Sequence, residues 1–127
     1  MEKIVIEGTP KSPFVNFDPD NGILELKGRS IPENSVEFYG PLLKALTAYS
    51  ENPKATTTAS LFLPYFSTSS SKCILEVLRL MEVVHTKGKK VTINWMYESD
   101  DVDMLEAGED YQVMINVPFT MVGVEPS

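Results

Sequence analysis

The chain has little with which to build a reaction centre or a covalent scaffold. Among its 127 residues there is one cysteine, Cys73, and one histidine, His85. A single cysteine cannot close an intrachain disulfide, which fits a reducing cytoplasm. One cysteine and one histidine are also too few for a zinc centre or a Cys-His nucleophile pair, which need several such groups converging. No apolar run approaches the roughly 20 residues of a membrane span. The start, Met1-Glu2-Lys3-Ile4-Val5-Ile6-Glu7, has neither the basic opening nor the apolar stretch of a signal peptide. Basic residues are scarce too: 11 Lys and Arg stand against 18 Asp and Glu, a net charge of −7. A nucleic-acid surface needs clustered cations to displace counterions from phosphate, so that chemistry is excluded. The expected class is a cytoplasmic, non-enzymatic protein with no nucleic-acid partner, no membrane insertion, and no metal or cofactor.

What is present suits one packed domain over residues 1–127, with 43% hydrophobic and 23% charged residues. Three short apolar stretches come first: Ile4-Val5-Ile6, Phe14-Val15-Asn16-Phe17 and Gly22-Ile23-Leu24-Glu25-Leu26. Between the second and third, Asp18-Pro19-Asp20-Asn21-Gly22 reads as a hairpin turn, because proline fixes φ and Asn-Gly tolerates positive φ. A calcium loop starting at Asp18 and Asp20 lacks its later ligands and closing glutamate. After Gly28, Val36, Tyr39, Leu42 or Leu43, Leu46 and Tyr49 recur at helical spacing. Asn34 or Ser35 caps that helix, and Pro41 predicts either a kink or a regular part that begins near Gly40. Ser50-Glu51-Asn52-Pro53 stops it.

The segment from Ala55 to Phe66 is apolar on both alternating faces in its second half, with Leu61, Leu63 and Tyr65 on one and Phe62 and Phe66 on the other. Such a strand is expected at the centre of a sheet, covered by helices above and below. Ile74, Val77, Leu78, Met81 and Val84 or His85 then mark an amphipathic helix ended by Lys87-Gly88. Val91, Ile93, Trp95 and Tyr97 alternate as a strand, which completes a strand-helix-strand unit and favours parallel pairing. A third helix follows the acidic stretch Glu98 to Asp103, with Leu105, Gly108, Tyr111 or Gln112, and Ile115 inward. A last strand runs from Phe119 to Val124. The reading is an α/β fold, one mixed sheet with helices packed on it.

Few residues suggest chemistry. Gly8-Thr9-Pro10-Lys11-Ser12 lacks the spaced glycines and following helix of a phosphate loop. His85 reads as a polar tip at a helix end. Cys73 reads as a small apolar core residue or as a thiol beside a helix N-terminus. Asp100, Asp101, Asp103, Glu106, Glu109 and Asp110 read as solvated carboxylates, with a metal site or a docking surface for a basic patch as alternatives. The most informative segment is Ser67-Thr68-Ser69-Ser70-Ser71-Lys72, five hydroxyl residues where a helix starts. Capping needs one or two. The free N–H groups and positive dipole end there also suit a phosphate, which makes phosphorylation the competing reading.

At three blocks the chain resembles the SiaC-type bacterial regulatory phosphoproteins. They are Ile31-Pro32-Glu33-Asn34-Ser35, Tyr65-Phe66-Ser67-Thr68-Ser69-Ser70-Ser71-Lys72 and Asp103-Met104-Leu105-Glu106-Ala107-Gly108-Glu109, in family order across nearly the whole chain. The resemblance implies a fold similar to the anti-sigma-factor antagonists (STAS domains), in agreement with the mixed sheet. It implies phosphorylation at Thr68, with Ser67 and Ser69 as alternates, by a dedicated Ser/Thr kinase, and release by a PP2C-type phosphatase. It further implies that the unmodified form binds a partner such as a diguanylate cyclase. The junction and the outer face of the following helix, Ser69, Ser70, Lys72, Glu76 and Arg79, would then meet that partner. Phosphate on Thr68 would impose a desolvation cost and repel an acidic partner surface. The alternatives are a constitutive scaffold, in which the serine run only caps a helix, and a small enzyme using the acidic segment.

Overall fold

Asp18-Pro19-Asp20-Asn21-Gly22 forms the tight connection its composition suggests. Asn21 Nδ2 donates to Asp18 Oδ2 (2.8 Å), and Gly22 takes a φ of +65°. A Cβ at position 22 would also drive into the Thr56 carbonyl oxygen, so conformation and space both demand glycine. The turn joins β2 (Phe14–Asp18) to β3 (Ile23–Lys27) antiparallel, and β1 (Ile4–Ile6) adds antiparallel to β2. This is a computed structural model that describes residues 1–126. Ser127, the last residue of the expected domain, lies outside them.

From β3 onward helices alternate with strands: α1 (Ser35–Glu51), β4 (Thr56–Phe62), α2 (Thr68–Thr86), β5 (Lys90–Glu98), α3 (Val102–Met114) and β6 (Phe119–Val124). The six strands lie side by side in chain order, and β3, β4, β5 and β6 run parallel. Parallel neighbours need a crossover, and crossovers of one hand along a sheet that grows in one direction put every helix on the same face.

Burial records that one-sidedness. Val15 and Phe17, Leu24 and Leu26, Ala59 and Leu61, and Val91, Ile93 and Trp95 are buried under the helices, while the residues between them are only partly covered or exposed. The opposite face carries cross-strand polar pairs, with Asn16 Nδ2 donating to Glu25 Oε1 (2.9 Å) and Asn94 Nδ2 to Ser60 Oγ (3.2 Å). The expectation that β4 is covered above and below is therefore wrong. Phe62 lies on the open face and Leu63 is buried like Leu61, but Pro64 ends the alternation and takes the chain out of the sheet before Tyr65 and Phe66. Those two aromatics belong to a loop.

In α1 the core stripe is Ser35, Tyr39, Leu42, Leu46 and Tyr49, each buried. Val36, expected on that stripe, is 74% exposed, and Ser35 holds the inner position one residue earlier. Asn34 is the N-cap, its side chain accepting from the Glu37 N–H (3.0 Å). The helix starts six residues before Pro41 rather than near Gly40. Pro41 is exposed and removes only the bond to the Glu37 carbonyl, itself on a solvated residue. In α3 the buried residues are Met104, Gly108 and Tyr111, so Met104 takes the place expected of Leu105. Ile115 is buried just beyond the helix end. No helix is long and apolar enough to cross a membrane among the described residues.

Candidate functional site

Because β3 to β6 are parallel, the loops that follow β3, β4 and β5 emerge at one rim of the sheet. The three sequence blocks singled out above occupy those loops and the helix starts beyond them. The first two loops are fastened together through Ser30. Its N–H donates to the Tyr65 carbonyl (2.8 Å), and its own carbonyl accepts from the Ser67 N–H (3.0 Å). Ser30, Ser35 and Ser70 are buried, and their hydroxyls form a connected chain. Ser30 Oγ lies 2.6 Å from Tyr39 Oη and donates to Ser70 Oγ (2.9 Å). Ser35 Oγ lies 3.2 Å from Ser70 Oγ and 2.9 Å from Ser69 Oγ, and Ser69 Oγ lies 3.2 Å from Ser67 Oγ. A hydroxyl has one proton, so with Ser30 donating to Ser70 it is Tyr39 that donates to Ser30. In the Ser70–Ser35, Ser35–Ser69 and Ser69–Ser67 contacts either hydroxyl can be the donor.

The first turn of α2 accounts for nearly every hydroxyl in the serine run. Ser67 is the N-cap, accepting from the Ser70 N–H (3.2 Å). Ser69 and Ser70 belong to the buried chain, and Ser71 Oγ donates to the Thr68 carbonyl (2.6 Å). The Thr68 hydroxyl has no partner among the described residues, and Thr68 is exposed at the first position of the helix. Tyr111 Oη, from α3, donates to the Ser71 carbonyl (2.8 Å) and ties the turn to its other neighbour.

Exposed apolar side chains mark the same rim. Val36 stands at the start of α1, Tyr65 (53% exposed) before α2 and Val102 (62% exposed) at the start of α3. The Arg29 guanidinium lies 5.7 Å from the centre of the Tyr65 ring. A shallow hollow of about 240 Å³, mostly apolar, lies between α2 and α3 and is lined by Phe66, Ser71, Ala107, Asp110, Tyr111 and Met114. Acid flanks the rim: Glu33 and Glu37 on the α1 side, and Asp100 and Asp103 on the α3 side, all exposed.

Burial pushes the Tyr39 phenol up to about 12, against partial relief from its Ser30 hydrogen bond. It raises the Tyr111 phenol in the same direction. Below pH 10 both folded and unfolded chains hold the proton. Between about pH 10 and 12 the unfolded chain loses it first, so stability falls across that window by about 2–3 kcal/mol for Tyr39, at about 1.4 kcal/mol per unit. Urea unfolding at pH 9 and pH 11.5 is expected to show that loss, and Tyr39→Phe to remove its share. An equal loss in the Phe variant would show that Tyr39 does not hold its proton more tightly when folded.

A family profile described as "SiaC family regulatory phosphoprotein" matches residues 6–124. The chain belongs to this family. An uncharacterized protein of Pseudomonas aeruginosa (strain UCBPP-PA14) is 29% identical over 121 residues, covering 95% of this chain and 96% of that protein. The crystal structure of apo-SiaC from Pseudomonas aeruginosa aligns with a TM-score of 0.88 at 29% identity, covering 97% of this chain and 100% of that one. A second crystal structure, the diguanylate cyclase SiaD in complex with its activator SiaC from Pseudomonas aeruginosa, aligns with a TM-score of 0.89 at 28% identity over 95% of this chain and 99% of that one.

In this SiaC-family protein the expected site residues separate into different environments. Thr68, Ser69, Lys72 and Glu76 are exposed, Ser67 partly so. Ser70, expected to meet a partner, is 0% exposed. It is the third residue of α2 and turns into the α1–α2 seam, so its role is internal. Arg79 is exposed as well, and it also bonds within the chain. Its Nη1 donates to the Met114 carbonyl (3.1 Å) at the C-terminal end of α3, where cations are favoured, and lies 3.4 Å from Glu82 Oε1. Glu82 Oε2 accepts from the Asn116 N–H (2.6 Å). Cys73 is buried, and burial followed by nearby Glu76 raises its thiol, so it is an apolar core residue. In the acidic segment Asp101 caps α3, accepting from the Met104 N–H (3.0 Å). Among the described residues no three His, Cys, Asp or Glu side chains converge on a position where they could hold a metal. Residues 8–12 form a loop closed by a Thr9–Ser12 hydroxyl contact (2.8 Å) and lead into β2, not into a helix.

Sequence reasoning missed Ser30, Ser35 and Tyr39 as parts of the site. The signal was present: 35, 39, 42, 46 and 49 form an unbroken helical stripe, and a serine in such a stripe marks a buried hydroxyl that must find a partner.

Proposed function

We propose that this chain is a cytoplasmic, non-enzymatic signalling protein switched by phosphorylation of Thr68. A cognate Ser/Thr kinase adds the phosphate, a PP2C-type phosphatase removes it, and the unmodified form binds and regulates a diguanylate cyclase. The observation that carries this reading is the Thr68 hydroxyl, the one member of the serine run that is both exposed and without a hydrogen-bond partner among the described residues. Ser67 caps the helix and Ser69, Ser70 and Ser71 bond within the chain, so Thr68 is the hydroxyl for which a scaffold role supplies no use. Family membership and the SiaC–SiaD complex support a cyclase as the partner.

The physics of the switch follows from where Thr68 stands. A phosphate at the first position of α2 meets unpaired backbone N–H groups and the positive end of the helix dipole, so the fold tolerates it. A partner covering the rim would have to strip water from nearly two added negative charges beside Val36, Tyr65 and Val102. Loss of at least tenfold in affinity, about 1.4 kcal/mol, is expected.

Calorimetry with a SiaD-type diguanylate cyclase from the same cells tests this directly. Phosphorylated protein should bind at least tenfold more weakly than unmodified protein, and Thr68→Ala should bind like the unmodified form. Intact mass should show one added phosphate on the wild type and none on Thr68→Ala. Equal affinity of the phosphorylated and unmodified forms would falsify the proposal.

A further inference from the structure

We infer that Ser35 is a positioning residue that keeps Ser69 from competing with Thr68 for phosphate. The inference rests on the reading of Thr68 as the acceptor. Thr68 and Ser69 are adjacent, both exposed and both at the start of α2, so helix geometry alone does not separate them. Their hydroxyls do. Ser69 Oγ lies 2.9 Å from Ser35 Oγ and 3.2 Å from Ser67 Oγ, whereas Thr68 Oγ1 has no partner among the described residues.

Phosphoryl transfer needs an acceptor oxygen with a lone pair aligned on phosphorus and a proton that a kinase base can take. While tied, Ser69 offers neither freely, because its Oγ is held between the Ser35 and Ser67 hydroxyls, which engage its proton and lone pairs within the chain whichever hydroxyl donates. Ser35 cannot follow Ser69 outward. It is buried beside the α1 cap Asn34, and Ser70 holds it from below at 3.2 Å. Ser70 is fixed in turn by Ser30 and, beyond it, Tyr39. The buried chain thus ends in a clamp on the one neighbouring hydroxyl that shares the exposure of Thr68.

The test is the position of the phosphate, located by fragmentation of phosphopeptides from protein isolated from its own cells. A merely structural role for Ser35 would lower stability without moving the phosphate. The wild type is expected to carry it on Thr68 only, and Thr68→Ala to carry none. Adding Ser35→Ala to Thr68→Ala is expected to restore phosphate on Ser69, to at least about a tenth of the wild-type level, while Ser35→Thr in the same background, which keeps the hydroxyl, is not. If Ser35→Ala does not fold, Ser35→Cys replaces it, since a thiol fills the site but donates poorly. A folded double variant that stays unphosphorylated, or wild-type protein phosphorylated on Ser69, overturns the inference. A Thr68→Ala protein that keeps its full phosphate overturns instead the reading of Thr68 beneath it.

Discussion

Trp95→Ala is expected to lower the melting temperature by about 10–20 °C. Trp95 is 1% exposed in β5, under α3. Its ring meets Phe66 edge-on at 6.2 Å and Tyr111 at 5.4 Å, and its Nε1 donates to the Met104 carbonyl (2.9 Å). Alanine removes all of these contacts and opens a cavity of aromatic size, which costs about 3–5 kcal/mol. The damage would reach the rim. Phe66 immediately precedes the α2 cap, and Tyr111 holds the Ser71 carbonyl within the first turn of α2. A calorimetric melt within about 4 °C of the wild type would mean that the neighbouring aromatics collapse into the space.

Gly108→Ala should reverse the usual sign of such a change. In an exposed helix interior alanine is better than glycine by about 0.5–1 kcal/mol. Here a Cβ at position 108 would overlap the Trp95 ring, lying 2.6 Å from Nε1 and 2.8 Å from Cγ. An indole locked between Phe66 and Tyr111 cannot retreat, so α3 must lift, and overpacking of this kind costs about 1–3 kcal/mol. A net loss is expected. In a Trp95→Leu background the overlap is gone, and the same substitution should become neutral or stabilising. A double-mutant cycle by urea unfolding is expected to give a coupling of at least about 1.5 kcal/mol. A rise in stability for Gly108→Ala alone would show that α3 is not docked closely on Trp95.

The order of elements was legible from periodicity, because each helix buries one stripe and the strands β2 to β5 alternate. The misreadings share a cause: apolar residues were assigned inward wherever spacing allowed. Val36 and Leu105 fit a stripe as well as their neighbours do, but the helix phase is set by Ser35 and Met104, whose burial only tertiary contact reveals. Phe62, Tyr65 and Phe66 look like a two-faced central strand until Pro64 is seen to end the alternation. The site was legible in outline. A hydroxyl-rich helix start suggested phosphate, and the resemblance singled out Thr68. Which hydroxyls are engaged depends on Ser30, Ser35 and Tyr39, distant in sequence, so it could not be read from the run itself.

Each strand pairs with the one before it in the chain, so the sheet can be laid down in the order of synthesis, with no strand waiting for a later one to be threaded beside it. The antiparallel pairings of β1, β2 and β3 close short loops, whereas each parallel pairing waits for its crossover helix, so the later steps are the slower ones. The first turn of α2 matures late in that sequence. Its loops meet once β4 has joined β3, but the Ser71 carbonyl gains Tyr111 only after α3 has docked on β5. A nascent chain that ends before α3 therefore carries Thr68 in a turn that still lacks its contact with Tyr111.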